Sequence, residues 1–484
     1  MSCSDYVRKN LWKLVITSLI FLNFIVYSIR STSTGIALLD LQIQVQETFT
    51  VTSRLVTAYS VGYLIGGCSI GFIEGVCHNF LLLAFTSILG GISLGFVPQF
   101  SQILIIFPLI GISGFMNAIS ETLSNVALVD IWEAEVGNYM QLLYLFYGIG
   151  GLITPILIRP FQLPIPEEAT DDPDAYLSFY KPEEVQIQYP YFWITGASIV
   201  TGMLFIICYF VNQRNKGSDK NKEADEQEMQ TSEVKTPNKK DSPSKVKIAI
   251  AVGWVTVLCH IGSAMHLTLS CFAQAYGVKS VFKMEKKKAA LLSGLYYLVY
   301  CLGKIVFVFL TTLIGEKPLI YSISLLYFIG IILAFTLANS IEICLWAIPV
   351  FYAIGYGPLF NCAIADLEKY FHLTGRHTSI IFIGVCIGDS IHVPIVGTFL
   401  DDWPDIYLYY TGSLSILFLA SFLVMPFICR ALFEKPENPK IQELNVERKT
   451  SRFGSIIVPV PERRDSIMSL VVPSSDFERK KSNA

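Results

Sequence analysis

Along most of its length this chain alternates long apolar runs with short polar interruptions. A helix rising about 1.5 Å per residue needs about 20 apolar residues to cross a bilayer core of about 30 Å. Runs of that kind fall near residues 12–40, 51–73, 80–98, 102–130, 139–159 and 189–212, and again near 248–275, 288–314, 319–337, 341–366, 377–400 and 407–430. The pattern predicts an all-α membrane protein with twelve transmembrane helices in two six-helix halves. Between the sets, Gln213 to Lys247 holds nine Lys/Arg and seven Asp/Glu with almost no apolar residue, a composition that cannot bury a core. The expected organisation is an N-terminal segment 1–11, a first half 12–212, a linker 213–247, a second half 248–430 and a polar, disordered tail 431–484.

Within the runs, polar residues recur at helical spacing, which places them on single faces. In the fourth span Ser113, Asn117, Ser120, Glu121, Ser124 and Asn125 form one stripe. Asn23, Tyr27, Arg30, Ser31 and Thr34 form another in the first span, and Ser293, Tyr296, Tyr297, Tyr300 and Lys304 a third in the eighth. In the eleventh, Asp389 and His392 are i, i+3 neighbours. A charge at mid-bilayer costs about 2.5 kcal/mol or more, so such residues face a bundle interior or a watery path. That argument selects Glu121, Lys304, Arg30 and Asp389. Single Ser, Thr and Asn residues read instead as polar packing between helices, at about 0.6 kcal/mol per bond.

Counted inward from one membrane face, Glu121 and Lys304 lie roughly 14–15 Å deep, Asp389 roughly 18 Å and Arg30 roughly 27 Å. Depth allows Lys304 to pair with Glu121 or Asp389 and disfavours an Arg30–Glu121 pair. His392 is a candidate proton relay beside Asp389. His260 and His266, six residues apart, do not share a face and read as hydrogen-bonded interior residues. Glycines at 62, 66, 67 and 71 suit close helix approach. Gly148, Gly150, Gly151 and Pro155 in the fifth span, and Pro349, Gly355, Gly357 and Pro358 in the tenth, suggest softened or broken helices.

Composition agrees with this reading. The chain is 52% hydrophobic and only 15% charged, against about 25% charged in soluble proteins. A net charge of −3 and the lack of a basic patch exclude a nucleic-acid partner. No CxxC pair occurs among the eleven cysteines, which read as buried small hydrophobes with no metal among them. The stretch from Leu11 is too long for a signal-peptide core and reads as a span. Basic residues Arg8, Lys9 and Lys13, the linker and the tail set both termini on the cytoplasmic side, with the plasma membrane the expected location. The segment 160–188, with seven acids against Lys181, then lies outside. Lys279, Lys283, Lys286, Lys287 and Lys288 fall on that same outer side against the rule. In the tail, Arg448-Lys449-Thr450-Ser451 and Arg463-Arg464-Asp465-Ser466 are candidate kinase sites.

Six plus six spans with a charged linker resemble the major facilitator superfamily. More narrowly, the chain resembles the sodium-dependent glucose transporters of the fucose–galactose–glucose transporter family. Gly111-Ile112-Ser113-Gly114 followed by Glu121-Thr122-Leu123-Ser124-Asn125 is similar to that family's fourth-span motif. Met140-Gln141 with Gly150 and Pro155 is similar to the fifth-span pattern, and Gly62-Tyr63-Leu64 and Gly303-Lys304 to paired motifs in spans two and eight. Pro358-Leu359-Phe360, Glu368-Lys369-Tyr370, Thr374-Gly375-Arg376 and Gly388-Asp389 are similar to the region of spans ten and eleven. The resemblance implies a sugar site to which Glu121 and Asn125 contribute, with sodium as a candidate coupling ion. The chain departs from the family at several places. Tyr59 stands where the family has a span-two arginine, Ala264 where it has a span-seven acid, Lys304 for a span-eight arginine and Tyr144 at a polar span-five position. The loop after span two reads Gly71-Phe72-Ile73-Glu74-Gly75, with His78 and no arginine.

Together these readings lead to a non-enzymatic secondary transporter of a glucose-like hexose that needs no cofactor. Its partners are a sugar-like solute and the lipid bilayer. Glu121, Asn125, Asn117, Gln141, Lys304 and Tyr300 are candidate solute-binding residues, and Arg30, Asp389 and His392 candidate coupling or gating residues. A carrier of another polar organic solute, and a non-transporting receptor or scaffold, remain alternatives.

Overall fold

A computed structural model describes residues 3–73, 78–132, 136–166, 175–223, 244–371 and 375–433. The linker beyond Glu223, residues 74–77 and 372–374, and the tail with its candidate kinase sites lie outside them. Residues Asn10–Pro436 make one compact unit, and it is the subject here. Its helices are α1 (Cys3–Ile36), α2 (Leu38–Val45), α3 (Phe49–Ile73), α4 (Asn79–Phe96), α5 (Ile103–Trp132), α6 (Val136–Ile158) and α7 (Gln188–Glu223). The second half follows as α8 (Lys245–Lys279), α9 (Lys286–Ile314), α10 (Glu316–Thr336), α11 (Glu342–Glu368), α12 (Gly375–Phe399) and α13 (Ile406–Phe433). Eleven of these are long and apolar enough to span a bilayer. The twelfth is α3, 25 residues long and so long enough to cross the bilayer core. The twelve-helix, two-half fold follows, with α2 as a short addition.

The halves meet along two seams, α3 against α12 and α6 against α9. A shift of six spans turns one contact into the other, as expected for two parallel repeats about an axis normal to the membrane. Peripheral helices present large apolar side chains outward, among them Leu104, Phe210 and Phe427, where lipid replaces water as solvent.

Glycines set the closest crossings. A Cβ on Gly62 would collide with the Gly111 carbonyl, one on Gly66 with the Phe115 carbonyl, and one on Gly114 with the Tyr59 carbonyl. α3 and α5 therefore touch backbone to backbone. On α12 a Cβ on Gly388 would likewise meet the His260 carbonyl of α8, and one on Gly384 the Thr256 side chain. The expected breaks are absent from two helices: α6 runs on through Pro155 and α11 through Pro349 and Pro358. Their glycines instead seat aromatic rings, Gly151 against Tyr297, Gly355 against Tyr327 and Gly357 against Tyr300. The break occurs in the first span, after Ile36, where the chain turns at Ala37 into the wholly buried α2. The Ile36 carbonyl freed there accepts a 2.9 Å bond from the Gln162 amide. At the other end of the half, α7 continues helically to Glu223, beyond the expected linker start at 213.

The α2 end of the bundle explains the misplaced lysines. Lys279 pairs with Asp401 at 2.6 Å, Lys286 with Asp40 at 3.0 Å and Lys288 with Glu342 at 2.5 Å. Three of the five are thus neutralised in place.

Candidate functional site

A cavity of about 60 Å³ lies between the halves. It is lined by α1, α3, α5 and α6 from the first half and by α8, α9, α11 and α12 from the second. The lining residues obey helical spacing: Tyr59, Ser60 and Tyr63 on α3, Tyr144 and Tyr147 on α6, Ser263 and His266 on α8, Tyr356 and Phe360 on α11, Phe382, Val385 and Asp389 on α12. Seven tyrosines are among them. They make the wall amphipathic, with flat apolar faces and hydroxyl tips.

Glu121 reaches the cavity from α5. Its Oε2 accepts the Tyr27 hydroxyl at 2.8 Å and also the Tyr63 hydroxyl. Asp389 reaches it from α12, accepting the Ser263 hydroxyl at 2.5 Å on Oδ1. The close α8–α12 crossing at Gly388 brings Ser263 and Asp389 together. One carboxylate from each half therefore opens on the same space, and no Lys or Arg is among the lining residues.

The remaining residues of the sequence-derived set fall in different places. Tyr300 lines the cavity. Lys304 lies behind it, its Nζ 4.4 Å from the Tyr300 ring centroid and 5.2 Å from that of Tyr144. Neither Glu121 nor Asp389 forms an ion pair with Lys304 among the described residues; the cation rests on aromatic faces instead. The Gln141 carbonyl oxygen accepts from the Asn361 amide at 2.8 Å, a bond joining α6 to α11 across the halves. Asn117 donates to the Tyr59 hydroxyl at 2.8 Å, and Asn125 to the Glu121 backbone carbonyl at 2.9 Å. Both stand behind the wall and support its residues. Asn23 bonds Ser120 and Ser124 at 3.0 and 3.2 Å, so much of the fourth-span stripe is polar packing between α1 and α5.

Arg30 turns away from the cavity. Its Nη1 donates to the Ser87 and Thr86 carbonyls of α4 at 2.9 and 3.3 Å, and the expected separation from Glu121 follows. His392 also departs from its expected place. Its Nε2 lies 3.0 Å from His260 Nε2 and its Nδ1 2.7 Å from the Tyr410 hydroxyl. It thus joins α8 and α13 and is not bonded to Asp389, because residues three apart still diverge when each meets a different neighbour.

The stripes passed over His266, Tyr356, Phe360 and Asn361. The ring of His266 stacks on Tyr356 with centroids 5.0 Å apart. A signal existed in the i, i+3 pair Ser263–His266 and the i, i+4 pair Tyr356–Phe360, the same period that marked the fourth span.

The sequence model of the Major Facilitator Superfamily matches residues 19–391 and 256–469. The chain is 22% identical over 412 residues to sodium-dependent glucose transporter 1 of Danio rerio, covering 80% of this chain and 65% of that protein. It is 19% identical over 424 residues to sodium-dependent glucose transporter 1 of Homo sapiens, covering 85% and 77%. The solved structure of FucP, a transporter of this superfamily in its outward conformation, superposes with a TM-score of 0.57 at 16% identity over 86% of this chain and 99% of that one. On the family match across most of its length, the chain belongs to the Major Facilitator Superfamily.

Proposed function

We propose that the chain carries a glucose-like hexose by alternating access of its two halves about the central cavity, with sodium as the coupling ion. The observation that carries this reading is the pair of carboxylates, Glu121 and Asp389, opening from opposite halves onto one tyrosine-walled space. Carboxylates accept hydrogen bonds from sugar hydroxyls, and aromatic faces take the apolar C–H face of a pyranose. The net negative lining disfavours anionic solutes such as sugar phosphates, and a bound cation would relieve it. Names of the relatives point the same way. In this reading Glu121 and Tyr300 touch the solute, Asn117 and Asn125 hold the wall, Gln141 with Asn361 ties the halves, and Asp389 couples to the ion. Both termini lie on the cytoplasmic side of the plasma membrane.

The test is uptake of labelled hexoses into vesicles holding the purified full chain, with inward sodium and potassium gradients compared. Saturable uptake stimulated by sodium is expected. Failure of every hexose to enter, with correct insertion verified, would overturn the hexose reading; equal uptake in both gradients would remove sodium alone.

A further inference from the structure

We infer that His266 is a solute-binding, specificity-determining residue that presents a fixed N–H donor to the cavity. This rests on the hexose reading for the identity of the solute, but the geometry of the donor stands by itself.

His266 lines the cavity and is only 6% exposed. Its Nδ1 lies 2.6 Å from the Tyr296 hydroxyl. The direction of that bond can be worked out from what each atom has available. Tyr296 is fully buried, and His266 is the one hydrogen-bond partner of its hydroxyl among the described residues. If the histidine donated through Nδ1–H, the hydroxyl would accept that bond and leave its own proton buried without an acceptor, at a cost of about 1–3 kcal/mol. The tyrosine therefore donates, Nδ1 is bare, and the ring is the neutral tautomer with its proton on Nε2. No protein group meets Nε2, and it is not sealed from the cavity. The stack on Tyr356, with planes 15° apart, and the packing against Tyr297 and Tyr300 hold the ring in one orientation.

The donor matters because of what surrounds it. Glu121 and Asp389 only accept, and the Tyr27, Tyr63 and Ser263 hydroxyl protons are already spent on them. Tyr147, Tyr300 and Tyr356 also bring hydroxyls to the wall, but a hydroxyl proton rotates to suit its partner; the Nε2–H of His266 is fixed in direction and recognises an acceptor oxygen of the solute. A polyhydroxylated ring satisfies both kinds of group, since each hydroxyl donates to a carboxylate or accepts from the imidazole.

Two measurements test this with the full chain in nanodiscs. Nitrogen NMR of ¹⁵N-histidine-labelled protein, with the signal assigned by the His266→Gln variant, should show a bare Nδ1 and a protonated Nε2. An Nδ1-protonated ring or an imidazolium overturns the proposal whether or not any hexose binds. The second measurement is competition by glucose and its monodeoxy and monofluoro analogues, because fluorine accepts weakly and hydrogen does not. In the wild type one position should tolerate fluorine but not deoxygenation. His266→Phe keeps the ring and removes the donor. It should weaken glucose binding about 3- to 10-fold, the worth of one neutral hydrogen bond, and abolish the difference between analogues at that position. Should that variant fail to fold, Tyr296→Phe frees the tautomer and should reduce the same difference. Unchanged discrimination in folded variants overturns the contact, whereas absence of binding by every hexose to the wild type overturns the hexose reading instead.

Discussion

At the scale of single residues, the cavity is organised by how buried polar groups are paired. Glu121 is nearly enclosed, with 8% of its surface open, and its charge is held by the two phenol hydroxyls of Tyr27 and Tyr63. Hydrogen bonds to a charged group are worth about 1.5–3 kcal/mol each. Replacing Glu121 by Gln removes that charge from the solute's path, and vesicle uptake efficiency should fall roughly 10- to 100-fold. Ser113, on the same stripe, is buried and lines no part of the cavity. Its change to Ala should leave uptake within about 2-fold, as for ordinary polar packing. Equal effects would remove Glu121 from the site. Helical period alone marks both residues; which of them meets the space depends on how far α5 is rotated against α1 and α3.

At the scale of helices, packing rests on a few positions where backbones touch. Gly62 and Gly114 let α3 and α5 approach until carbonyl oxygens occupy the place of a side chain. That approach carries Tyr59 and Tyr63 to Asn117 and Glu121. Changing Gly114 to Leu should lower stability by about 1–3 kcal/mol through overpacking, read as a reduced melting temperature in detergent. Gly253, where an added Cβ would meet open space, should accept Ala with no loss. Small residues at helical spacing were visible in the sequence as a sign of close approach. The identity of the partner was not, since several helices carry such residues.

At the scale of the whole molecule, the halves are tied together at the α2 end. Lys286 of α9 pairs with Asp40 of α2, and both side chains are fully buried. Asp401 takes Lys279 on one oxygen and the Thr50 amide and hydroxyl at 2.9 and 3.0 Å on the other, so an acid from the second half caps the start of α3. Gln274 joins Gln162 at 3.0 Å. Entry from this end requires these bonds to part. A buried ion pair is close to break-even, but removing one partner costs about 3–5 kcal/mol because the other charge stays buried. Asp40→Asn should therefore shift the protein toward a state open at this end. Spin labels at the exposed Glu47 and Val281, one in each half, should report a longer distance in that variant. The reversed pair, Asp40→Lys with Lys286→Asp, should restore the shorter one. An unchanged distance in the single variant would show that the pair does not hold this end shut.

Span number, the division into halves and the residues too costly to face lipid were determined by the sequence itself, because length, hydropathy and helical period are local properties that act on each segment separately. Which stripe opens on the cavity was decided only by tertiary structure. So were the turn of Arg30 onto α4, the meeting of His392 with His260, the seat of Lys304 on tyrosine rings and the neutralised lysines at the α2 end. Each of these depends on distances between helices remote in the chain, and the polar groups of a membrane interior take whichever partner the packing brings within reach.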